Sequence, residues 1–113
     1  MMLTTMVADA GRKIRLEQGP EFFPMNLTGI KIGDVAFIGI PGEPFTGIGM
    51  GLKESKGWKM VCPTCLTNGS RGYFPMKDSY DEGGYEARSS NYKAGVAETI
   101  IAAGQKLLDG LRK

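Results

Sequence analysis

The chain has 113 residues, of which 42% are hydrophobic and 23% charged, and its formal net charge is +2. This length suits one domain, or part of one, and the small charge argues against a nucleic-acid partner. No apolar run reaches the roughly 18 residues that a membrane span requires, and the first residues lack the features of a signal peptide. The sequence as written therefore predicts a cytoplasmic protein that forms a single domain over residues 1–113.

The first half of the chain alternates helical and strand patterns. Apolar side chains three and four residues apart predict a helix over residues 3–17, which Gly19-Pro20 ends. Two β-prone segments follow at residues 22–32 and 35–40, and the Gly33-Asp34 link between them is typical of a hairpin turn. These patterns predict one helix followed by a β-hairpin.

The second predicted strand leads into a helix and a third strand. Its continuous apolar run, Val35-Ala36-Phe37-Ile38, indicates burial on both faces of a sheet. Pro44 suits the first turn of a helix that continues to about residue 55. Residues 59–66 form the next predicted strand, and residues 67–90 are rich in turn-forming residues and predict a long loop.

A closing amphipathic helix from residue 91 to Leu111 completes the order α-β-β-α-β-α. The predicted fold class is α/β, with α+β as the alternative. We expect a small three-stranded mixed sheet with a β-hairpin, a βαβ unit at residues 35–66 and flanking helices. Because three strands leave sheet edges uncovered, we expect this chain to be a partial domain of a larger α/β fold.

The glycine-rich stretch Gly47-Ile48-Gly49-Met50-Gly51 invites comparison with phosphate-binding loops. Its spacing matches neither the dinucleotide-binding fingerprint nor the P-loop, and it lies inside the predicted helix. Glycines there cost helix stability, so we expect them to allow close packing of a neighbouring element. A nucleotide-binding βαβ module stays a remote alternative.

The Cys62-Pro63-Thr64-Cys65 segment admits a redox pair or half of a zinc site. Residues three apart on a strand point to opposite faces, and no second ligand pair or histidine is present in the sequence. The favoured interpretation is therefore two buried, inert thiols. A disulfide or adventitious metal binding stays open as the alternative.

Glu43 follows the buried strand and a Pro41-Gly42 turn. That position is the carboxyl end of a strand, where open α/β sheets hold their ligands. Its carboxylate could act as a general base, bind a metal, or cap the helix that Pro44 is predicted to begin. Considered alone, capping is the most frequent of these roles.

Two later segments change this interpretation of Glu43. Asn68-Gly69-Ser70-Arg71-Gly72-Tyr73-Phe74-Pro75 follows the third strand, and Gly83-Gly84-Tyr85-Glu86 comes after it. With the strand that ends in Pro-Gly-Glu, their order and spacing resemble the C-terminal part of the catalytic domain of the neutral/alkaline non-lysosomal ceramidase family. The resemblance covers about residues 25–111. It implies that Glu43 and Tyr73 are zinc ligands and that Tyr85 is a catalytic residue that stabilises the oxyanion of the scissile amide.

The resemblance also implies what this chain lacks. The family takes two further zinc ligands from upstream histidines, and this sequence contains no histidine. Two oxygen donors alone hold zinc poorly, since zinc prefers nitrogen and sulfur donors in a four-coordinate shell. We therefore expect a part of a zinc amidohydrolase for ceramide-like lipid amides that is inactive alone and binds zinc weakly or not at all.

Two kinds of partner follow from these expectations. A separately encoded, histidine-bearing half would complete the zinc site and allow a lipid amide substrate to bind. The alternative is a non-catalytic structural or interaction module that forms a homo-oligomer or completes a partner chain through its sheet edges.

Overall fold

The computed structural model describes residues 24–113, and the helix predicted over residues 3–17 lies outside them. The strands are β1 (Thr28–Ile32), β2 (Val35–Gly39), β3 (Glu43–Pro44), β4 (Met60–Thr64) and β5 (Tyr73–Phe74). The helices are α1 (Thr46–Lys53), α2 (Ser79–Glu82), α3 (Tyr85–Ser89) and α4 (Val96–Leu111). Among residues 24–113, no helix has the length and apolar character of a membrane span.

The main sheet is mixed and has three strands in the order β1-β2-β4. Strands β1 and β2 form the antiparallel hairpin, and Gly33 in their turn has a φ of 59°, which glycine adopts without steric cost. Strands β2 and β4 run parallel and are connected through α1. The predicted mixed α/β fold, with a hairpin and a βαβ unit, is confirmed.

Helices α1 and α4 pack against one face of this sheet and enclose the core. The buried core residues are Ala36, Ile38, Ile40, Ile48, Leu52, Val61, Phe74, Ala97, Ile100 and Leu108. A Cβ atom on Gly51 would lie 2.9 Å from the Ile101 side chain, so a glycine at this position lets α1 and α4 approach. The close packing predicted for the glycine-rich stretch is confirmed at this contact.

The predicted burial of β2 on both faces is wrong. Ala36 and Ile38 are fully buried, but Phe37 between them is 37% exposed because the described helices cover only one face of the sheet. The opposite surface, which we call the open face, is formed by Ile30, Ile32, Phe37, Met60 and Cys62.

The predicted start of the helix after Glu43 is also wrong. Pro44 lies in β3 and pairs with Phe74 of β5, and α1 begins two residues later at Thr46. Backbone bonds hold the extended conformation, since the Phe45 N–H donates to the Phe74 carbonyl at 3.2 Å. The segment predicted as a loop, residues 67–90, contains β5 together with the short helices α2 and α3.

The cysteines are not buried as predicted. Cys62 is half-buried, Cys65 is exposed, and both are free thiols. Cys62 lies on the open face because Val61, its neighbour in the strand, points into the core. Cys65 directly follows the last residue of β4 and is exposed.

Candidate active site

Glu43 and Tyr73 are neighbours in a second, two-stranded sheet. Strand β3 pairs with β5 in parallel, and Glu43 is the register partner of Tyr73. Strands in a sheet lie about 4.8 Å apart, and partner side chains point to the same side. Glu43 is exposed and Tyr73 is half-buried, so both functional groups can be reached from solvent.

The Pro41-Gly42 turn places Glu43 beside Tyr73. The Glu43 N–H donates to the Gly72 carbonyl at 2.8 Å, and the Gly42 carbonyl accepts from the Leu66 N–H at 2.9 Å. A Cβ atom on Gly42 would lie 2.7 Å from the Gly72 carbonyl oxygen and would also overlap the Phe74 ring. Glycine is therefore required at residue 42 for β3 and β5 to approach each other.

A buried serine holds the backbone of Tyr73. Ser90 is 8% exposed, and its hydroxyl donates to the Tyr73 carbonyl at 2.9 Å. The Tyr80 hydroxyl lies 3.3 Å from the Ser90 hydroxyl and donates to the Tyr92 carbonyl at 2.8 Å. The sequence contains no signal for Ser90 or Tyr80, because both lie in a segment without hydrophobic periodicity and the contacts of Ser90 with Tyr73 and with Tyr80 each join residues that are at least ten positions apart.

Tyr85 completes the cluster of predicted residues. Its ring lies edge-on to that of Tyr73, with 6.1 Å between ring centroids and an interplanar angle of 78°. Gly83 and Gly84 precede it with φ values of 82° and 106°, which favour glycine and allow α3 to begin at Tyr85. The structure therefore brings Glu43, Tyr73 and Tyr85 together, although the first and the last are 42 positions apart in the sequence.

The charge of Glu43 disfavours ionisation of Tyr73. The pKa of the Tyr73 phenol lies above its ordinary value of 10.0, first because of the Glu43 carboxylate and then because of burial, Tyr85 and Glu86. A cation beside both groups would offset this repulsion and favour the phenolate. The pair thus offers two oxygen donors to a positive ion.

The oxygen atoms of Glu43 and Tyr73 could form part of the ligand shell of a zinc ion but not the whole shell. Within residues 24–113 there is no group of three or more histidine, cysteine, aspartate or glutamate side chains that could hold a metal. Glu43 and Tyr73 supply two oxygens, whereas protein zinc sites combine four ligands and favour nitrogen or sulfur. Histidine donors would have to come from polypeptide beyond this sequence, which has none.

The alternative role of Glu43 as a helix cap is wrong. The N-cap residue of α1 is Phe45, no side chain caps the helix, and its first turn contains no acidic residue. Glu43 is instead the first residue of strand β3, where it is the register partner of Tyr73. The Glu43 carboxylate is therefore available for another role.

The fold resembles that of ceramidases. No protein-family model and no curated protein matches the sequence. Among solved structures, the crystal structure of neutral ceramidase from Pseudomonas aeruginosa matches 76% of this chain with a TM-score of 0.69 and 19% sequence identity. The resemblance predicted from the three motifs is thereby confirmed at the level of the fold. The match spans 15% of the ceramidase chain.

Proposed function

We propose that this chain supplies part of a ceramidase-like zinc amidohydrolase site. Glu43 and Tyr73 would hold the ion from one side, and Tyr85 would face the scissile carbonyl. The observation that carries this proposal is the parallel register of Glu43 and Tyr73, with the Tyr85 ring 6.1 Å from that of Tyr73, in a fold that resembles neutral ceramidase. The chain alone would be inactive because it has no histidine.

The roles of the three residues follow from their chemistry. Zinc with an open position would supply a bound water of lowered pKa and would polarise an amide carbonyl. Glu43 and Tyr73 would orient the ion through their oxygens. The Tyr85 phenol, which is 61% exposed, would donate a hydrogen bond to the carbonyl oxygen as negative charge develops on it.

The proposed substrate is the N-acyl amide of a ceramide-like lipid. This chain corresponds to a small share of the ceramidase chain that it resembles, so most of a lipid-binding surface would belong to a complementary polypeptide. That polypeptide would bring the histidine ligands.

Reconstitution tests this proposal. The purified chain is mixed with zinc and a histidine-bearing ceramidase-like half, and hydrolysis of a fluorogenic N-acylsphingosine is followed. We expect activity only in the complete mixture, and a loss of more than about 100-fold in Glu43→Gln, larger than the loss typical of outer-shell changes. Glu54→Gln, at an exposed glutamate that ends α1, is the matched control and should keep full activity. Equal activity in both variants would refute the ligand role of Glu43.

A non-catalytic interaction module is the second candidate function. Its supporting observation is the strand order, which places β1 and β4 at the two edges of the main sheet with no further partner among the described residues. Such edges pair readily with strands of another chain. A stable homodimer by light scattering, with no hydrolysis in any reconstituted mixture, would favour this candidate.

A further inference from the structure

Strand β5 is bonded along the edge that faces β3. The Glu43 N–H donates to the Gly72 carbonyl at 2.8 Å. The Phe45 N–H donates to the Phe74 carbonyl at 3.2 Å. Consecutive residues of an extended chain direct their carbonyls to opposite edges, so the carbonyl of Tyr73 faces away from β3. The second edge of β5 therefore needs other hydrogen-bond donors.

Two side-chain hydroxyls bind this second edge. The Ser90 hydroxyl donates to the Tyr73 carbonyl at 2.9 Å, and the Tyr92 hydroxyl donates to the Arg71 carbonyl at 2.9 Å. The Tyr92 N–H donates to the Ser90 hydroxyl at 3.3 Å, which joins the two donors to each other. The Tyr92 ring also lies 5.0 Å from that of Phe74. Ser90 and Tyr92 thus hold β5 at two carbonyls that are two residues apart.

The same serine ends the helix that begins with Tyr85. Tyr85 is the first residue of α3, Ser90 is its C-cap residue, and the Ser90 N–H donates to the Ala87 carbonyl at 3.3 Å. A helix of five residues is about 7.5 Å long, so a bond at its end restricts the position of its first residue. At the other end, a Cβ atom on Gly84 would meet no described atom within 4 Å. The described contacts therefore hold α3 mainly at its C-terminal end.

Burial in α3 follows the same direction. The Tyr85 side chain is 61% exposed, whereas Ala87 is 7% and Ser90 8% exposed. Exposed side chains change rotamer within nanoseconds, so packing on the Tyr85 ring restrains it little. The place of Tyr85 in the site depends instead on how α3 is attached to β5.

We propose that the hydroxyls of Ser90 and Tyr92 position Tyr85 against Tyr73 by joining the end of α3 to β5. The inference rests on the proposed function, in which Tyr73 holds the ion and Tyr85 binds the scissile carbonyl. Strand β5 is then bonded to the strand of Glu43 on one edge and to the helix of Tyr85 on the other. The 6.1 Å between the Tyr73 and Tyr85 ring centroids is set by these hydroxyl bonds in addition to the ring contact itself.

NMR cross-relaxation between the ring protons of Tyr73 and Tyr85 measures this positioning in the full chain without zinc. We expect a ring-to-ring signal in the parent chain and its loss in Ser90→Ala and in Tyr92→Phe. Each variant removes one of the two hydroxyl bonds to β5. Ser89→Ala is the matched control, since it removes a buried hydroxyl with no hydrogen-bond partner among the described residues, and it should keep the signal.

The two variants keep the test decisive if one of them does not fold. Fluorescence of Trp58, which packs against the core, checks that each chain is folded. Tyr92→Phe retains the ring that lies against Phe74, so it loses only the hydroxyl. A ring-to-ring signal that persists in a folded Ser90→Ala or Tyr92→Phe chain would overturn the positioning role of that residue.

Kinetics in the reconstituted mixture separate positioning from stability. With zinc and the histidine-bearing half present, Ser90→Ala should lower kcat per folded chain by about 10- to 100-fold and leave KM unchanged, because a displacement of about 1 Å can cost this much. A serine that only stabilised the fold would leave kcat per folded chain equal to that of Ser89→Ala, and this result would contradict the proposal. If the parent mixture shows no hydrolysis, the proposed function fails, and the ring-to-ring signal still decides whether the hydroxyls position Tyr85.

Discussion

Ser90 connects strand β5, which contains Tyr73, to the segment that follows α3. Its buried hydroxyl donates to the Tyr73 carbonyl and accepts from the Tyr92 N–H at 3.3 Å. We expect Ser90→Ala to lower the free energy of unfolding by about 1–3 kcal/mol, because it leaves polar backbone groups unsatisfied. Urea unfolding followed by Trp58 fluorescence measures the change.

The adjacent Ser89 is the matched control for this prediction. Its hydroxyl is buried and has no hydrogen-bond partner among the described residues. Ser89→Ala should therefore leave stability unchanged or raise it slightly, since the hydroxyl contributes no bond. Equal losses in the two variants would show that the bond from Ser90 to Tyr73 does not stabilise the fold.

Tyr80 should make the stability of the fold depend on pH in the alkaline range. The pKa of its phenol lies above the ordinary value of 10.0, mainly because of burial, and the hydrogen bond with Ser90 opposes this shift. The folded state thus holds the proton at a pH where the unfolded chain has lost it. The corresponding stability is fully present below pH 10.0 and is lost as the pH rises through the folded-state pKa.

Replacement of Tyr80 by phenylalanine tests this linkage. Tyr80→Phe should make the decline in unfolding free energy above pH 10.0 less steep, and at neutral pH it should cost about 1 kcal/mol for the lost bond to the Tyr92 carbonyl. The decline should persist in part, because burial also raises the pKa of Tyr92. Chemical unfolding at stepwise pH measures both effects, and an unaltered slope would contradict the role of Tyr80.

The residues of the site differ in how far sequence could predict them. Three ordered motifs indicated Glu43, Tyr73 and Tyr85 together, and the structure brings these side chains to one place, while their roles in zinc binding and catalysis stay predictions. Ser90 was not predicted, because its hydrogen bond to Tyr73 crosses 17 residues of a segment without periodicity.

At the scale of elements, replacing two helical glycines by alanine should change the stability of the protein in opposite directions. Among the described residues, a Cβ atom on Gly49 in α1 would meet only Pro63, at 3.9 Å, so Gly49→Ala should stabilise the protein by about 0.5–1 kcal/mol through helix propensity. Gly104 in α4 is buried, and its Cβ atom would overlap Leu52 and lie 3.1 Å from Ile38. Gly104→Ala should destabilise by about 1–3 kcal/mol.

Thermal unfolding of these two variants gives the sign of each effect. The opposite shifts would show that Gly104 is needed for the contact between α4 and α1, whereas Gly49 is not needed for packing. A stabilising Gly104→Ala would mean that Leu52 moves aside without cost and would contradict the close contact.

The same scale explains which elements sequence could predict. The hairpin was predictable because Gly33-Asp34 is a local turn signal between two β-prone segments. The strands β3 and β5 have two residues each and pair with one another across the chain, so no local period indicates them. Because of this long-range pairing, α1 begins at Thr46 and not at Pro44, where the local preference of proline predicted the start of a helix.

At the scale of the whole molecule, the incomplete donor set predicts a weak response to zinc. Ligand binding stabilises a fold by about 2.7 kcal/mol at 100 times the dissociation constant. With only Glu43 and Tyr73 as ligands, the chain alone should show almost no rise in Tm when zinc is added. The measurement requires the Cys62→Ser/Cys65→Ser background, because both free thiols have access to solvent and would bind zinc themselves.

Zinc should instead strengthen the association of this chain with a histidine-bearing, ceramidase-like polypeptide. The four ligands of one zinc shell would then come from two chains. In the same cysteine-free background, we expect light scattering to show a complex that zinc strengthens and that a chelator weakens. Glu43→Gln should remove the zinc dependence, and Glu54→Gln should retain it. Strong stabilisation of the isolated chain by zinc, retained in Glu43→Gln, would contradict a shared shell, because the ion would then be bound by donors other than the Glu43–Tyr73 pair.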